Sequence, residues 1–184
     1  AWYLFSKIGP ETGISYLQKM GFNNIVPDDY NPASALGGMT YGVTTVEMAA
    51  AFSGLENHGL YYRPTCITQL IDDSGTDLYK APSKIQIYEE SVADDVVDMM
   101  KGVLTSGTAK GLNWYSSSET EAASKTGTTN GGKDGWLCGV TPYYSVSVWV
   151  GYDTPRSLDS LYGSTYPGQI WKACMLDMID GKET

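Results

Sequence analysis

The 184-residue sequence lacks any apolar run approaching the roughly 18 to 20 residues a membrane span needs. No charged segment followed by an apolar one opens it, so nothing in it reads as inserting or targeting. Positive charge is scarce and scattered. The 12 Lys+Arg stand singly against 21 Asp+Glu, leaving a formal net charge of -9. With no basic patch to overcome that field, no nucleic-acid partner is expected. Histidine occurs once, as His58 in an Asn-Gly type turn, and reads as a solvated loop residue rather than a catalytic one. Cys66, Cys138 and Cys174 are far apart, fit no metal spacing and cannot all pair with one another. They read as small buried hydrophobes, and neither a metal nor a cofactor is expected. Repeats, low-complexity tracts and interdomain linkers are also missing, and a hydrophobic fraction of 42% over this length suits one compact domain.

What is present is a mixed α and β pattern. "AWYLFSKI" reads as the middle of a buried helix and, starting at Ala1 without an initiator Met, suggests an excerpt whose anchor or signal lies outside it. Pro10 in a first turn and Gly21 as a stop bracket a short helix. "NNIVPDDYNPASALGG" is a loop. Thr44 with Glu47 forms a capping-box signature ahead of a buried, alanine-rich helix closed by Gly59. "RPTCITQLIDDSGTDLYKA" reads as two strands joined by a turn at Asp72 to Gly75. Ser91 with Asp94 then starts a helix whose stripe is Val92, Val96, Met99, Met100, Val103 and Leu104. After the polar loop "NWYSSSET" come three strands, "EAASKTGT", "GWLCGVT" and "YSVSVWVGY". Their connections are too short for crossover helices, so they must be antiparallel neighbours. "PGQIWKACMLDMID" places Ile170, Trp171, Cys174, Met175 and Met178 on one stripe of a closing helix packed across that sheet.

The stretch "SKTGTTNGGKDGW" carries the chemistry, and three readings compete for it. Gly127 to Lys133 matches the spacing of a phosphate loop, but Asp134 stands where a hydroxyl is needed and a strand follows where a helix should. A plain hairpin accounts for Asn130 to Lys133, with Asn130, Gly131 and Gly132 supplying positive φ angles. It leaves Lys125 to Thr128 unexplained, where a glycine inside a strand marks a close approach of another backbone or a ligand. The third reading is one wall of a catalytic groove.

Lys-Thr-Gly is a signature element of penicillin-recognising serine enzymes. "ASKTGTTNGGKDGWLCGVTPYYSVSVWVGYDTP" resembles the corresponding segment of class A, bifunctional penicillin-binding proteins. So do "IGPETGISYLQKMGF", "PASALGGMTYGVTTVEMAAAFSGLENHGLYYRPTCI", "MMKGVLTSGTAKGL" and "GQIWKACM". The resemblance implies an α+β fold, an antiparallel sheet with helices packed on its faces, as a partial transpeptidase (β-lactamase-like) fold. It implies part of a peptidoglycan D,D-transpeptidase that acts through a serine acyl-enzyme and is acylated by β-lactams. The setting it implies is the extracellular face of the bacterial membrane, with an anchor and a glycosyltransferase domain upstream. A D,D-carboxypeptidase, a β-lactamase, a β-lactam sensor and a non-catalytic subdomain binding wall peptides are the alternatives.

By the same resemblance, Lys125 assists a relay serine and attracts the substrate carboxylate, which the hydroxyls of Thr126 and Thr128 hold. Gly127 lets an extended peptide ending in D-Ala-D-Ala lie close, and the Thr128 N–H is half of an oxyanion hole. Thr129 and Trp136 flank the motif, Trp136 chiefly as structure. The family's other two motifs are absent: no serine has a lysine three residues later or an asparagine two residues later. Both are expected upstream of where Ala1 aligns. Residues 1–184 therefore read as the C-terminal part of one transpeptidase domain, with the N-terminal part of the same domain as its partner.

Overall fold

The computed structural model describes residues 2–182. Ala1, where the sequence reading starts its first helix, and the ends of the 1–184 span lie outside them. Two helices open the chain, α1 (Trp2–Ile8) and α2 (Pro10–Lys19). Pro10 fits the first turn of α2 because an N–H there would have no helical partner, and Gly21, at φ 78°, ends the element as the sequence implies. One expectation fails: α1 buries no residue, and Trp2, Tyr3, Leu4 and Ile8 are each more than half exposed. Apolar composition buries a helix only where a neighbouring element covers it.

The loop that follows contains two 3-10 turns, Pro27–Asp29 and Pro32–Leu36, and is organised around a buried acid. Asp29 is 0% exposed. Its carboxylate accepts the N–H of Val26 at 2.9 Å and both the N–H and the hydroxyl of Thr40 at 2.7 Å. Val26 first, then the two Thr40 donors, hold its carboxyl below the usual range. A depressed folded pKa means stability that is fully present above the unfolded pKa and lost as pH falls through the folded one. Asp29→Asn is therefore expected to lower the urea midpoint at pH 7 and to flatten its decline in acid. An unchanged midpoint at pH 7 would show that the carboxylate does not organise this loop.

Thr44 caps α3 (Thr45–Glu56) reciprocally: Glu47 N–H donates to Thr44 Oγ1 at 3.1 Å, and the Glu47 carboxylate accepts Thr44 N–H at 2.8 Å. The other Glu47 oxygen accepts Asn23 N–H at 3.0 Å, tying the helix to the loop before it. After Asn57, His58 (φ 54°) and Gly59 (φ 78°) turn the chain into β1 (Leu60–Tyr62), which pairs antiparallel with β2 (Lys84–Gln86). The hairpin expected across residues 63–81 reduces to its turn. Asp72 Oδ1 accepts the N–H groups of Ser74 and Thr76, and one bridge joins Ile71 to Asp77. Ile67, Leu70, Ile71 and Leu78 are more than half exposed, so the segment has no buried face to hold a longer ladder. Next, α4 (Glu90–Thr105) begins ahead of Ser91, which does not cap it, and Asp94 pairs with His58 instead of starting the helix. Its inner face runs through Ala93, Val97, Met100 and Leu104, whereas Val92 and Met99 of the expected stripe are exposed.

The strands β3 (Ala123–Thr128), β4 (Asp134–Val140) and β5 (Ser145–Gly151) form an antiparallel sheet in that order, as their short connections require. Alternation along each strand divides the side chains between two faces. Ser124, Thr126, Thr128, Leu137 and Gly139 lie toward α5 (Tyr166–Ile179), while Ala123, Lys125, Trp136, Cys138 and Val140 lie toward α3 and α4. Trp171 of α5 is fully buried over Gly139, where an added Cβ would sit 2.6 Å from the indole. Its ring also packs on Trp114, centroid to centroid 5.1 Å.

Three corrections follow from this core. Trp114, in the segment read as a polar loop, is fully buried in a 3-10 turn (Trp114–Ser116), and its Nε1–H donates to Thr120 O at 2.8 Å. The stripe of α5 is Trp171, Met175 and Ile179, spaced by four, whereas Ile170 and Cys174 face outward. All three cysteines are free thiols, and of them only Cys138 is buried. No helix among the described residues is long and apolar enough to cross a membrane.

Candidate functional site

Lys125-Thr126-Gly127-Thr128 occupies the end of β3, and β3 is an edge strand of its sheet. Thr129 N–H donates to Asp134 O at 3.0 Å, which makes positions 129 and 134 a hydrogen-bonded pair. Alternation then turns the backbone groups of Gly127 toward Trp136 on β4, and those of Thr126 and Thr128 toward the open edge. The Lys125 ammonium lies on that edge, donating to Thr126 O at 2.8 Å. The outward backbone groups of Thr126 and Thr128 and a positive charge thus stand together where an extended chain can add as a further strand.

The turn behind this edge decides between the competing readings of the sequence. Gly131 and Gly132 take φ 76° and 60°, so the left-handed conformations lie on the two glycines and not on Asn130. The Thr129 hydroxyl accepts N–H from Lys133 at 3.2 Å and from Asp134 at 2.8 Å, fastening the turn. Asp134 then opens β4, where its carboxylate accepts Trp149 Nε1–H at 3.0 Å. No helix N-terminus follows Gly132-Lys133, which removes the phosphate-loop reading.

The hydroxyls of Thr126 and Thr128 lie on one face, as the strand period requires, and both are held. Thr126 Oγ1 lies 2.6 Å from Thr108 Oγ1, and Thr128 Oγ1 accepts Gly163 N–H at 3.0 Å. Gly163 is tightly enclosed: an added Cβ would lie 2.3 Å from Trp136 O and 2.9 Å from Gly127 O. Glycine therefore lets this backbone approach β3. Neither Thr108 nor Gly163 is singled out by the sequence, because nothing local to positions 108 or 163 marks them as neighbours of 126 and 128. At Gly127 an added Cβ would lie 3.3 Å from Trp136 Cβ. Trp136 is half-buried and packs with Phe52, Ala123, Cys138 and Val140, forming the base of the strand on the α3 and α4 side.

Cys138, the register partner of Lys125, is a buried thiol. Burial pushes its thiol up to about 11, against the opposing hydrogen bond from Ser147 and the charge of Lys125. At neutral pH it is a protonated thiol, and it does not serve as a nucleophile. Ser124, just before Lys125, is fully buried with no partner for its hydroxyl among the described residues, and it points away from Lys125 to the other face. The edge therefore offers outward-turned backbone groups and an ammonium, and among the described residues neither Cys138 nor Ser124 is an activated nucleophile beside them.

Residues 3–176 match the family model described as the penicillin binding protein transpeptidase domain. Penicillin-binding protein 4 of Bacillus subtilis is 34% identical over 94% of this chain, and penicillin-binding protein 1A of Clostridium acetobutylicum is 36% identical over 94%. The chain spans only 27% and 21% of those two proteins. Among solved structures, the penicillin-binding protein PonA1 from Mycobacterium tuberculosis is similar with a TM-score of 0.76 and 28% identity, covering 91% of this chain and 50% of that one. PonA1 in complex with penicillin V gives 0.72 and 27%, with 91% and 49% coverage. Penicillin-binding protein 1A from Haemophilus influenzae reaches 0.82 at 19% identity over 99% of this chain and 32% of that one, a likeness of fold alone. The α+β architecture implied by the sequence is the one observed.

Proposed function

Because this chain belongs to the penicillin binding protein transpeptidase domain family, we propose that it forms the Lys-Thr-Gly wall of a peptidoglycan D,D-transpeptidase whose nucleophile is supplied by an upstream part of the same domain. The observation that carries this reading is the open edge of β3, with the Thr128 amide turned outward and the Lys125 ammonium beside it. A stem peptide ending in D-Ala-D-Ala lies along this edge as an added strand, with Gly127 keeping the approach close. A serine from the upstream part attacks the penultimate D-Ala carbonyl, and the terminal D-Ala leaves. The acyl group then passes to an amine of a neighbouring stem. The negative oxygen that develops during attack is met by the Thr128 N–H and by the N–H of the serine itself.

Lys125 eases the proton transfers by placing its charge near the relay serine of the upstream part. Thr126 and Thr128 receive the substrate carboxylate, with Thr108 and Gly163 fixing the direction of their hydroxyls. Thr129 and Trp136 keep the turn and the strand base in place. A β-lactam enters the same edge in place of the D-Ala-D-Ala end, and the penicillin V complex of PonA1 is in keeping with this. The proposed setting is the outer face of the bacterial membrane, with anchoring and glycosyltransferase segments outside this chain.

The test uses the protein extended upstream to include Ser-x-x-Lys and Ser-x-Asn. A fluorescent penicillin is expected to label it once, and Lys125→Ala to slow labelling by roughly 10²- to 10⁴-fold, the range for a lost proton-transfer partner. Labelling of the variant at the unaltered rate would remove Lys125 from the mechanism. Release of free D-alanine without cross-linked product would instead favour a carboxypeptidase.

A further inference from the structure

A second cluster of chemistry-bearing side chains lies away from the β3 edge, at the junction of α3, β1 and α4. His58 Nδ1 is 2.7 Å from Asp94 Oδ1. With Glu90 they form a set whose possible ligand atoms all lie within 4.8 Å of one another, on exposed side chains. Glu90 and Asp94 are four apart on α4, so both carboxylates rise from one face of the helix. His58 comes from the turn after α3.

That turn is held from outside the cluster. Gln86 Nε2–H donates to His58 O at 2.8 Å and to Tyr88 O at 2.7 Å, and Gly59 O accepts Ile87 N–H at 2.9 Å. The backbone carrying the imidazole is therefore locked to the segment that leads into α4, and only side-chain torsions remain to be set.

From this arrangement we infer that His58, Glu90 and Asp94 bind a first-row divalent cation of the Zn²⁺ class, clasping the α3–β1 turn to α4. One imidazole and two carboxylates are a donor set such ions accept. Bonds of about 2.0–2.2 Å hold ligand atoms about 3.3 to 3.6 Å apart, and here the His58–Asp94 separation is 2.7 Å with all the candidate atoms within 4.8 Å of one another. Small rotations of exposed side chains close that difference. The N-terminal end of α4 opposes a cation with about half a positive charge, which the two full negative charges of Glu90 and Asp94 outweigh. The sequence reading assigns no metal and leaves His58 as a solvated loop residue, because the three ligands come together only through the packing of the turn on α4. The role of the ion is structural, since the site carries no part of the proposed acyl transfer.

Zinc titration by calorimetry, with circular dichroism as a check on folding, tests this on the full chain, on His58→Ala, on Asp94→Asn and on a Cys66→Ser/Cys174→Ser form that removes the two exposed thiols. One equivalent is expected to bind the unaltered chain and the form lacking the two exposed thiols equally. His58→Ala and Asp94→Asn are expected to weaken binding at least roughly 10- to 100-fold, the loss that even an outer-shell partner costs a metal site. Zinc is also expected to raise the thermal midpoint of the unaltered chain and not that of His58→Ala. Absence of binding, or binding that survives His58→Ala and disappears with the two exposed thiols, would overturn the assignment.

Discussion

Incubated with an excess of a penicillin, this 184-residue chain is expected to keep its mass unchanged, while the same domain with its upstream segment gains a single acyl adduct. The chain contains no Ser-x-x-Lys, so the serine that forms the acyl-enzyme in the proposed mechanism is not on it. Of the oxyanion hole it holds at most the Thr128 amide, and losing one such donor typically costs about 2.7 to 4 kcal/mol of transition-state stabilisation. Cys138, the nucleophile type beside Lys125, is held protonated by burial, with its thiol pushed up to about 11. The missing serine removes both the nucleophile and the second oxyanion donor, and the thiol that remains is not activated. Intact-mass spectrometry reads the result directly. An adduct on the 184-residue chain would show that it carries an acylatable nucleophile of its own and would overturn the assignment of the serine to the upstream part.

Replacing Trp171 by Ala is expected to produce the largest loss of stability of any single substitution considered, about 3–5 kcal/mol, the usual range for an aromatic removed from a packed core. The indole is fully buried, fills the space over Gly139 and packs on Trp114. Alanine would leave a cavity against two strands and one turn simultaneously. Trp171→Phe should cost much less, because it keeps an aromatic ring in place and removes an Nε1–H that has no partner among the described residues. Urea unfolding of the three proteins orders them. Equal midpoints for Trp171→Ala and the unaltered chain would mean that α5 does not anchor the sheet.

The elements legible from sequence alone are those whose causes are local. Thr44 and Glu47 cap α3 because the groups that bond are three residues apart, and Gly131 and Gly132 turn the chain because no side chain hinders a positive φ. The antiparallel order of β3, β4 and β5 follows from connections too short to cross over. The Lys-Thr-Gly motif marks the candidate site for the same reason: its three residues are contiguous. The misreadings share a different cause. Residues 63–81 have the pattern of a hairpin but lack a partner surface, so its ladder stays a single bridge. Trp114 stands among serines and reads as loop, yet the indole of Trp171, 57 positions along the chain, encloses it.

By itself, then, the sequence determined the family, the succession of helices and strands in the sheet half of the chain, and the strand that carries Lys125 to Thr128. Only the tertiary structure decided which face of α4 and α5 turns inward, which hydroxyls meet Thr126 and Thr128, and that His58 joins Glu90 and Asp94. The division has a physical basis. Backbone conformation and hydrogen bonding within a turn, a cap or a hairpin depend on residues a few positions apart, whereas burial and site geometry depend on whichever distant surfaces the folded chain brings into contact.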